Sequence, residues 1–132
     1  QLAQVIVSYV KQHYPKIIML APALSELAKA SQAVGLVTAL EVFADRTYED
    51  DGTLTSRSIE GSLITDPSQA SDHVKIMIEE KSIISRSGKK LPTAFHSICL
   101  HSDTPNSVEI SSQICILLHS MGVQQQTLPE LF

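Results

Sequence analysis

Short apolar runs alternate with helix-like segments along this chain, and this alternation limits its fold more than any other feature. Residues 17–20 form a continuous apolar run, and residues 36–43 are rich in apolar and β-branched side chains. Both patterns are typical of buried strands. The predicted order is helix 2–13, strand 17–20, helix 24–34, strand 36–43, loop 45–65, a helix from 66, hairpin 83–91, strand 97–100 and helix 104–121. The sequence therefore predicts an α/β fold with a parallel sheet.

Composition and charge exclude several classes of protein. The chain has 132 residues, of which 43% are apolar, and its longest apolar stretch is far shorter than the roughly 20 residues that span a bilayer. Its net charge is −4 and its basic residues are scattered, which argues against nucleic acid as a partner. Cys99 and Cys115 lie in apolar stretches and are expected to be small buried side chains. Without a recognisable signal peptide, a cytoplasmic location is expected.

The first helix pattern begins immediately. Leu2, Val5, Ile6, Tyr9 and Val10 follow the spacing of a single apolar helix face, which we expect to be packed. Since the chain starts at Gln1 without Met, it is expected to begin inside a packed element, as a fragment or processed product does.

Polar side chains follow two of the predicted strands, where α/β folds and barrels gather their ligand-binding groups. Carboxylates beside arginine and histidine are suited to proton transfer and to binding an anionic substrate. Structural explanations are also open: Asp45 and Arg46 could form an ion pair, and Asp103 and Thr104 could cap the last helix. The candidates are Glu41, Asp45, Arg46 and Tyr48 after the second strand, with Asp51, Arg57 and Ser58 further along the loop, and His101, Asp103 and Thr104 after the later strand.

Other functional motifs are absent. The chain has no GxGxxG sequence, no Walker-type phosphate loop and no GxSxG elbow. Cys115 and His119 are four residues apart, and His96 precedes Cys99 by three, but nothing in the sequence brings the two pairs together. We therefore expect no metal site. His13 and His73 are expected to face solvent.

Two motifs resemble one known family. The string 41–48, Glu-Val-Phe-Ala-Asp-Arg-Thr-Tyr, continues through Asp-Gly-Thr-Leu at 51–54 to Arg57-Ser58 and Gly61. Residues 101–105 read His-Ser-Asp-Thr-Pro. Together they resemble the LamB/YcsF family, the A subunits of 5-oxoprolinase, whose corresponding pentapeptide is His-Gly-Asp-Thr-Pro. Ser102 replaces the family's glycine, and its side chain would crowd a backbone that has to approach a ligand closely.

The resemblance implies a fold and a reaction. It implies a partial (β/α) barrel of the glycoside hydrolase/deacetylase type, about half of a barrel of roughly 250 residues. Residues 1–122 would be its carboxyl-terminal half and residues 123–132 a polar tail. It also implies ATP-dependent opening of the 5-oxoproline lactam to glutamate, with 5-oxoprolinase subunits B and C as partners. ATP is implied by the resemblance alone, since this chain has no nucleotide motif.

The resemblance also suggests roles for individual residues. Asp103, His101 and Asp45 would be catalytic, and Arg46, Arg57, Glu41 and Thr104 would bind substrate. The family's amino-terminal Asp, His and Lys motifs are absent, so the chain alone is expected to be inactive. A different interpretation is a non-catalytic truncated paralogue that acts as a subunit-interaction module, and a metal-dependent carbohydrate deacetylase follows only from analogy of fold. Exposed sheet edges could also favour a homo-oligomer.

Overall fold

The computed structural model describes all 132 residues, which form five helices and five strands. The elements are α1 (Leu2–His13), β1 (Met19–Pro22), α2 (Glu26–Ala33), β2 (Thr38–Phe43), α3 (Pro67–Glu80), β3 (Ser82–Ile84), β4 (Lys90–Pro92), β5 (Ser97–Cys99), α4 (Ser107–Ser120) and α5 (Leu128–Leu131). This is the predicted order of helices and strands, with two differences. The last long helix begins at Ser107 rather than at residue 104, and the expected polar tail contains the short helix α5.

The sheets confirm the predicted α/β class. A three-stranded sheet has the order β1-β2-β5, and β1 and β2 run parallel with Met19 beside Thr38 and Pro22 beside Glu41. Parallel strands require a crossover, which α2 supplies. The predicted hairpin is the antiparallel pair β3–β4. None of the helices is long and apolar enough to cross a lipid bilayer.

The chain divides into two compact units. The first comprises Gln1–Val42, Phe95–Ser97 and Gln126–Phe132, and the second comprises Phe43–Ala94 and Ile98–Gln125. In the first unit α1 packs on α2, and α2 packs on β1. Its buried apolar side chains are mostly small, so helix and strand backbones approach closely. They are Val7, Ala21, Ala23, Ala28, Leu36, Ala39 and Val42.

The predicted packed face of α1 is wrong. Val7 is completely buried and its neighbours Ala3 and Val10 are partly buried, so α1 packs through this side. Of the five side chains expected inside, Val10 is partly buried and the other four are exposed: Leu2, Val5, Ile6 and Tyr9. Because α1 is apolar on two sides, periodicity alone could not tell which side packs within this chain.

The core of the second unit lies between α3 and α4. The predicted helix from residue 66 is confirmed: Asp66 caps α3 by accepting a hydrogen bond from the Gln69 N–H over 2.9 Å, and Pro67 occupies the first turn. The core side chains are Ala44, Ala70, Val74, Ile110, Ile114 and Leu118, with Ile64, Ile78, Ile98, Leu100 and Leu117 packed around them. Cys115, expected to be buried, is exposed because it lies on the opposite side of α4.

The predicted long loop after β2 folds back on itself. Arg46 bridges Leu63 and Tyr48 bridges Leu54 in antiparallel fashion. The turn between them is closed by the Glu49 N–H, which donates to the Thr53 carbonyl over 2.8 Å. Gly52 provides the positive φ of 85° that this turn needs. The loop is therefore a pair of short bridged segments that begins at the end of β2.

Candidate functional site

A completely buried carboxylate lies at the centre of the candidate site in the second unit. Asp45 follows the end of β2, and its side chain has 0% exposure. The backbone N–H of His101 and the hydroxyl of Thr104 both donate to its Oδ2. His101 Nδ1 lies 3.0 Å from each carboxylate oxygen. A charge without water must be compensated by hydrogen bonds, and these three donors supply that compensation.

The contact with Asp45 determines how the imidazole of His101 is oriented. A carboxylate can only accept, so the hydrogen bond assigns the proton of neutral His101 to Nδ1. Nε2, on the opposite side of the ring, is then the unprotonated nitrogen. The ring stacks on Phe43 with centroids 5.6 Å apart and planes inclined by 10°. His101 keeps 27% of its side chain exposed, so the oriented imidazole is partly accessible to solvent.

An exposed ion pair includes Asp103, which follows His101 by two residues. Arg57 Nη1 donates to Asp103 Oδ2 over 2.9 Å. The hydrogen bond and charge of Arg57 lower the pKa of Asp103, and the Asp103 carboxylate in turn raises the pKa of Arg57. Asp103 is therefore ionised at neutral pH and a weak base there. The alternative that Asp103 caps α4 is wrong, since Asn106 occupies that position.

Thr104 was the other expected cap, and that expectation is also wrong. Because α4 starts at Ser107 after Asn106 in a left-handed conformation with φ 61°, the hydroxyl of Thr104 is able to reach Asp45. Thr104 is only 4% exposed. Its observed role is to complete the hydrogen bonding of the buried carboxylate, while substrate binding by Thr104 stays a prediction.

Arg46 does not form the expected ion pair with Asp45. Its Nη2 donates to the carbonyl oxygen of Thr55 over 2.6 Å, and its side chain is buried in the loop. Its Nε and the hydroxyl of Thr55 have no hydrogen-bond partner. Arg46 thus holds the two sides of the loop together, and Arg57 is the predicted substrate-binding arginine whose side chain is exposed.

Glu41 has a separate environment in the first unit. It lies on β2, where Ser97 Oγ donates to its Oε1 over 3.3 Å. Its role in substrate binding stays a prediction. The structure therefore connects the predicted residues of the second unit in two sets, Asp45 with His101 and Thr104, and Arg57 with Asp103.

Two side chains of this region were not singled out by their sequence pattern. Phe43 provides the stacking surface for His101, and its position two residues before Asp45 at a strand end was the available signal. His73 was expected to face solvent, but its Nε2 is buried without a hydrogen-bond partner. Burial lowers the pKa of His73, and backbone carbonyls of Arg46 and Phe43 oppose this shift only in part. Its spacing from Ala70 places it near the buried side of α3.

The chain holds no group of three or more His, Cys, Asp or Glu side chains arranged to bind a metal ion. Neither cysteine forms a disulfide. The groups of the site that the structure brings together are the imidazole oriented by Asp45 and the exposed Arg57–Asp103 pair.

Comparison with known proteins identifies relatives along the whole chain. The model of the LamB/YcsF family matches residues 1–132. The A subunit of the 5-oxoprolinase of Coprothermobacter proteolyticus is 45% identical over 114 residues, which are 86% of this chain and 44% of that protein. The corresponding protein of Azoarcus sp. is 38% identical over 131 residues, 99% of this chain and 51% of that protein.

A solved structure shows the same fold. The crystal structure of the lactam utilization protein from Thermus thermophilus has a TM-score of 0.81 and 27% identity, and the match covers 94% of this chain and 49% of that one. The chain thus spans about half the length of these relatives. The family match across all residues and the shared fold lead to one conclusion: this chain belongs to the LamB/YcsF family.

Proposed function

We propose that this chain contributes a proton-transfer site to a 5-oxoprolinase, an enzyme that opens the lactam of 5-oxoproline to glutamate. The observation that carries the proposal is the contact between buried Asp45 and partly exposed His101, which leaves Nε2 as the unprotonated nitrogen of the neutral ring. The names of the relatives support the choice of reaction.

The chemistry of lactam opening requires proton transfer at two atoms. Water adds its oxygen to the carbonyl carbon, the carbon–nitrogen bond breaks, and the departing nitrogen takes up a proton. In our proposal Nε2 of His101 accepts a proton from the attacking water, and the resulting imidazolium returns it to the nitrogen. Asp45 acts through His101 as a positioning residue, since it fixes the ring and stabilises its charged form.

A substrate carboxylate requires a cation near the reacting bond. Arg57 has the planar donor arrangement that binds carboxylates in a bidentate manner, and its side chain is 47% exposed. Asp103 holds the guanidinium in place before substrate arrives. We propose that the 5-oxoproline carboxylate binds the guanidinium of Arg57, and that this guanidinium stays paired with Asp103 as well.

The residues present do not fit a bound nucleotide. Arg46 is buried against Thr55, and the chain has no glycine-rich phosphate loop. We therefore derive no step through ATP and propose that ATP binds to parts of the enzyme outside this chain.

We also propose that the chain forms about half of a (β/α) barrel and that it works with subunits B and C. In our proposal it acts in the cytoplasm, where its cysteines stay reduced.

The test is complementation. The chain is co-expressed with the half of the Azoarcus protein that it does not match, and the complex is assayed with subunits B and C, ATP and 5-oxoproline for release of glutamate. We expect activity, and we expect His101→Asn to reduce kcat at least about 100-fold. The matched control is His119→Asn, because His119 is an exposed histidine on α4 and should not affect kcat.

Two results would overturn the proposal. One is a His101→Asn complex that retains the activity of the unchanged complex. The other is an assembled unchanged complex without activity, which would favour the non-catalytic interaction module instead.

A further inference from the structure

We propose that one side of α1 is a docking surface for the half of the LamB/YcsF fold that this chain does not span. This surface, called the α1 face below, consists of Leu2, Val5, Ile6 and Tyr9, which are 74%, 67%, 41% and 58% exposed. The inference concerns assembly and does not depend on lactam chemistry.

The α1 face is one continuous surface. Its members are spaced i, i+3, i+4 and i+7, so they lie along one side of the helix. Val7 on another side is completely buried. Residues 2–10 contain no charged side chain. A helix that is apolar on more than one side is typical of one covered on more than one side, and large exposed apolar patches mark interaction sites.

A second observation in the same unit points in the same direction. The order β1-β2-β5 places β1 at an edge of the sheet, where one row of backbone N–H and C=O groups has no partner strand. Leu20 on β1 and Ile17 just before it are each 43% exposed. The first unit therefore presents an apolar helix face and an open strand edge, which are the surfaces that a neighbouring strand and helix cover in an α/β fold.

The length of the relatives indicates what covers these surfaces. The alignment with the Azoarcus protein covers 99% of this chain but 51% of that protein. The alignment with the Thermus structure covers 94% of this chain but 49% of that one. About as many residues again thus exist in the relatives beyond the matched part. The apolar face and the unpaired strand edge are best occupied by that remaining half, and a second copy of this chain is the competing occupant.

Binding of the two halves tests the proposal. The chain is mixed with the unmatched half of the Azoarcus protein, and mass in solution is measured by light scattering after size-exclusion chromatography. We expect a one-to-one complex. Val5→Asp should raise the dissociation constant of this complex by at least about tenfold, because the substitution places a charge inside the interface.

Val108→Asp is the matched control. Val108 is 76% exposed, lies near the amino end of α4 as Val5 lies near that of α1, and belongs to the second unit. An added carboxylate therefore interacts similarly with both helix dipoles. Circular dichroism confirms that each variant folds, and titration of the unmatched half gives each dissociation constant.

Three outcomes would overturn the proposal. They are no complex between the halves, equal weakening by Val5→Asp and Val108→Asp, and a dimer of this chain alone that Val5→Asp dissociates. The measurement needs no substrate, so a complex that forms but lacks activity would contradict the proposed function and leave this inference standing.

Discussion

His101 and Asp45 are separated by 56 positions in the sequence, yet Nδ1 of the imidazole lies 3.0 Å from both oxygens of the carboxylate. The carboxylate is completely buried while the histidine is partly exposed. This asymmetry assigns a different role to each residue, since one side chain reaches solvent and the other can act only through it.

The first prediction concerns the tautomer of His101 in Asp45→Asn. Oδ2 accepts from two further donors, the His101 N–H and the Thr104 hydroxyl, whereas Oδ1 faces only Nδ1. The asparagine oxygen should therefore occupy the Oδ2 position and its NH₂ group should face Nδ1, which moves the imidazole proton to Nε2. Nitrogen chemical shifts of the ring report this change. Asp103→Asn should leave the tautomer unchanged, and an Nδ1–H tautomer in Asp45→Asn would contradict our assignment.

The second prediction concerns the hydroxyl of Thr104. Thr104→Val keeps the shape of the side chain but removes a donor to the buried carboxylate, which should lower the free energy of unfolding by about 2 kcal/mol. Thr104→Ser keeps the hydroxyl and should lower the free energy of unfolding by less, mainly because its methyl group is missing. Urea unfolding measures both values. If the serine and valine variants are equally destabilised, the hydrogen bond to Asp45 contributes nothing to stability.

The third prediction concerns pH and His73. Burial lowers the pKa of His73 in the folded state below its ordinary value of 6.5, so the unfolded chain binds the proton first as pH falls. The free energy of unfolding should therefore decrease as pH falls below 6.5, until the folded-state pKa is reached. His73→Phe should flatten this dependence, whereas replacement of exposed His119 by Phe should not. A His73→Phe profile that follows the unchanged protein would show that other groups are responsible.

The fourth prediction concerns the Arg57–Asp103 pair. Both side chains are exposed to solvent, so a double-mutant cycle with Arg57→Gln and Asp103→Asn should give only a small coupling between them. The coupling should decrease further in 1 M salt, because ions screen exposed charges.

The same arginine also affects the predicted enzyme kinetics. In the complemented enzyme Arg57→Gln should raise KM for 5-oxoproline about tenfold or more. Lys75→Gln, which removes the cation of an exposed pair on α3, should not raise it. An unchanged KM would exclude Arg57 as the substrate ligand.

Local patterns were enough to predict much of the fold. The start of α3, predicted at residue 66, depends on the Asp66 cap and on Pro67 directly after it. The turn around Gly52 and the β3–β4 hairpin are similarly local. These elements were predictable because the residues that determine them are neighbours in sequence.

The details of the site depend on distant partners. Thr104 followed by Pro105 has the pattern of a helix start, but its hydroxyl binds a carboxylate 59 positions away. Arg46 stands next to Asp45, yet alternation along the chain sends the two side chains to different partners. Sequence could therefore identify the residues of the candidate site, but only the fold shows which of them act together.

The burial of Asp45 also has a consequence for the order of folding. Its donors come from residues 101–104, at the far end of a long intervening segment. Until that segment closes, dehydrating the carboxylate carries a cost that nothing offsets. Closure of such a long segment depends on non-local contacts, which form slowly. We therefore expect desolvation of Asp45 and docking of the segment after β5 to occur in one late kinetic step, in which the imidazole acquires its orientation.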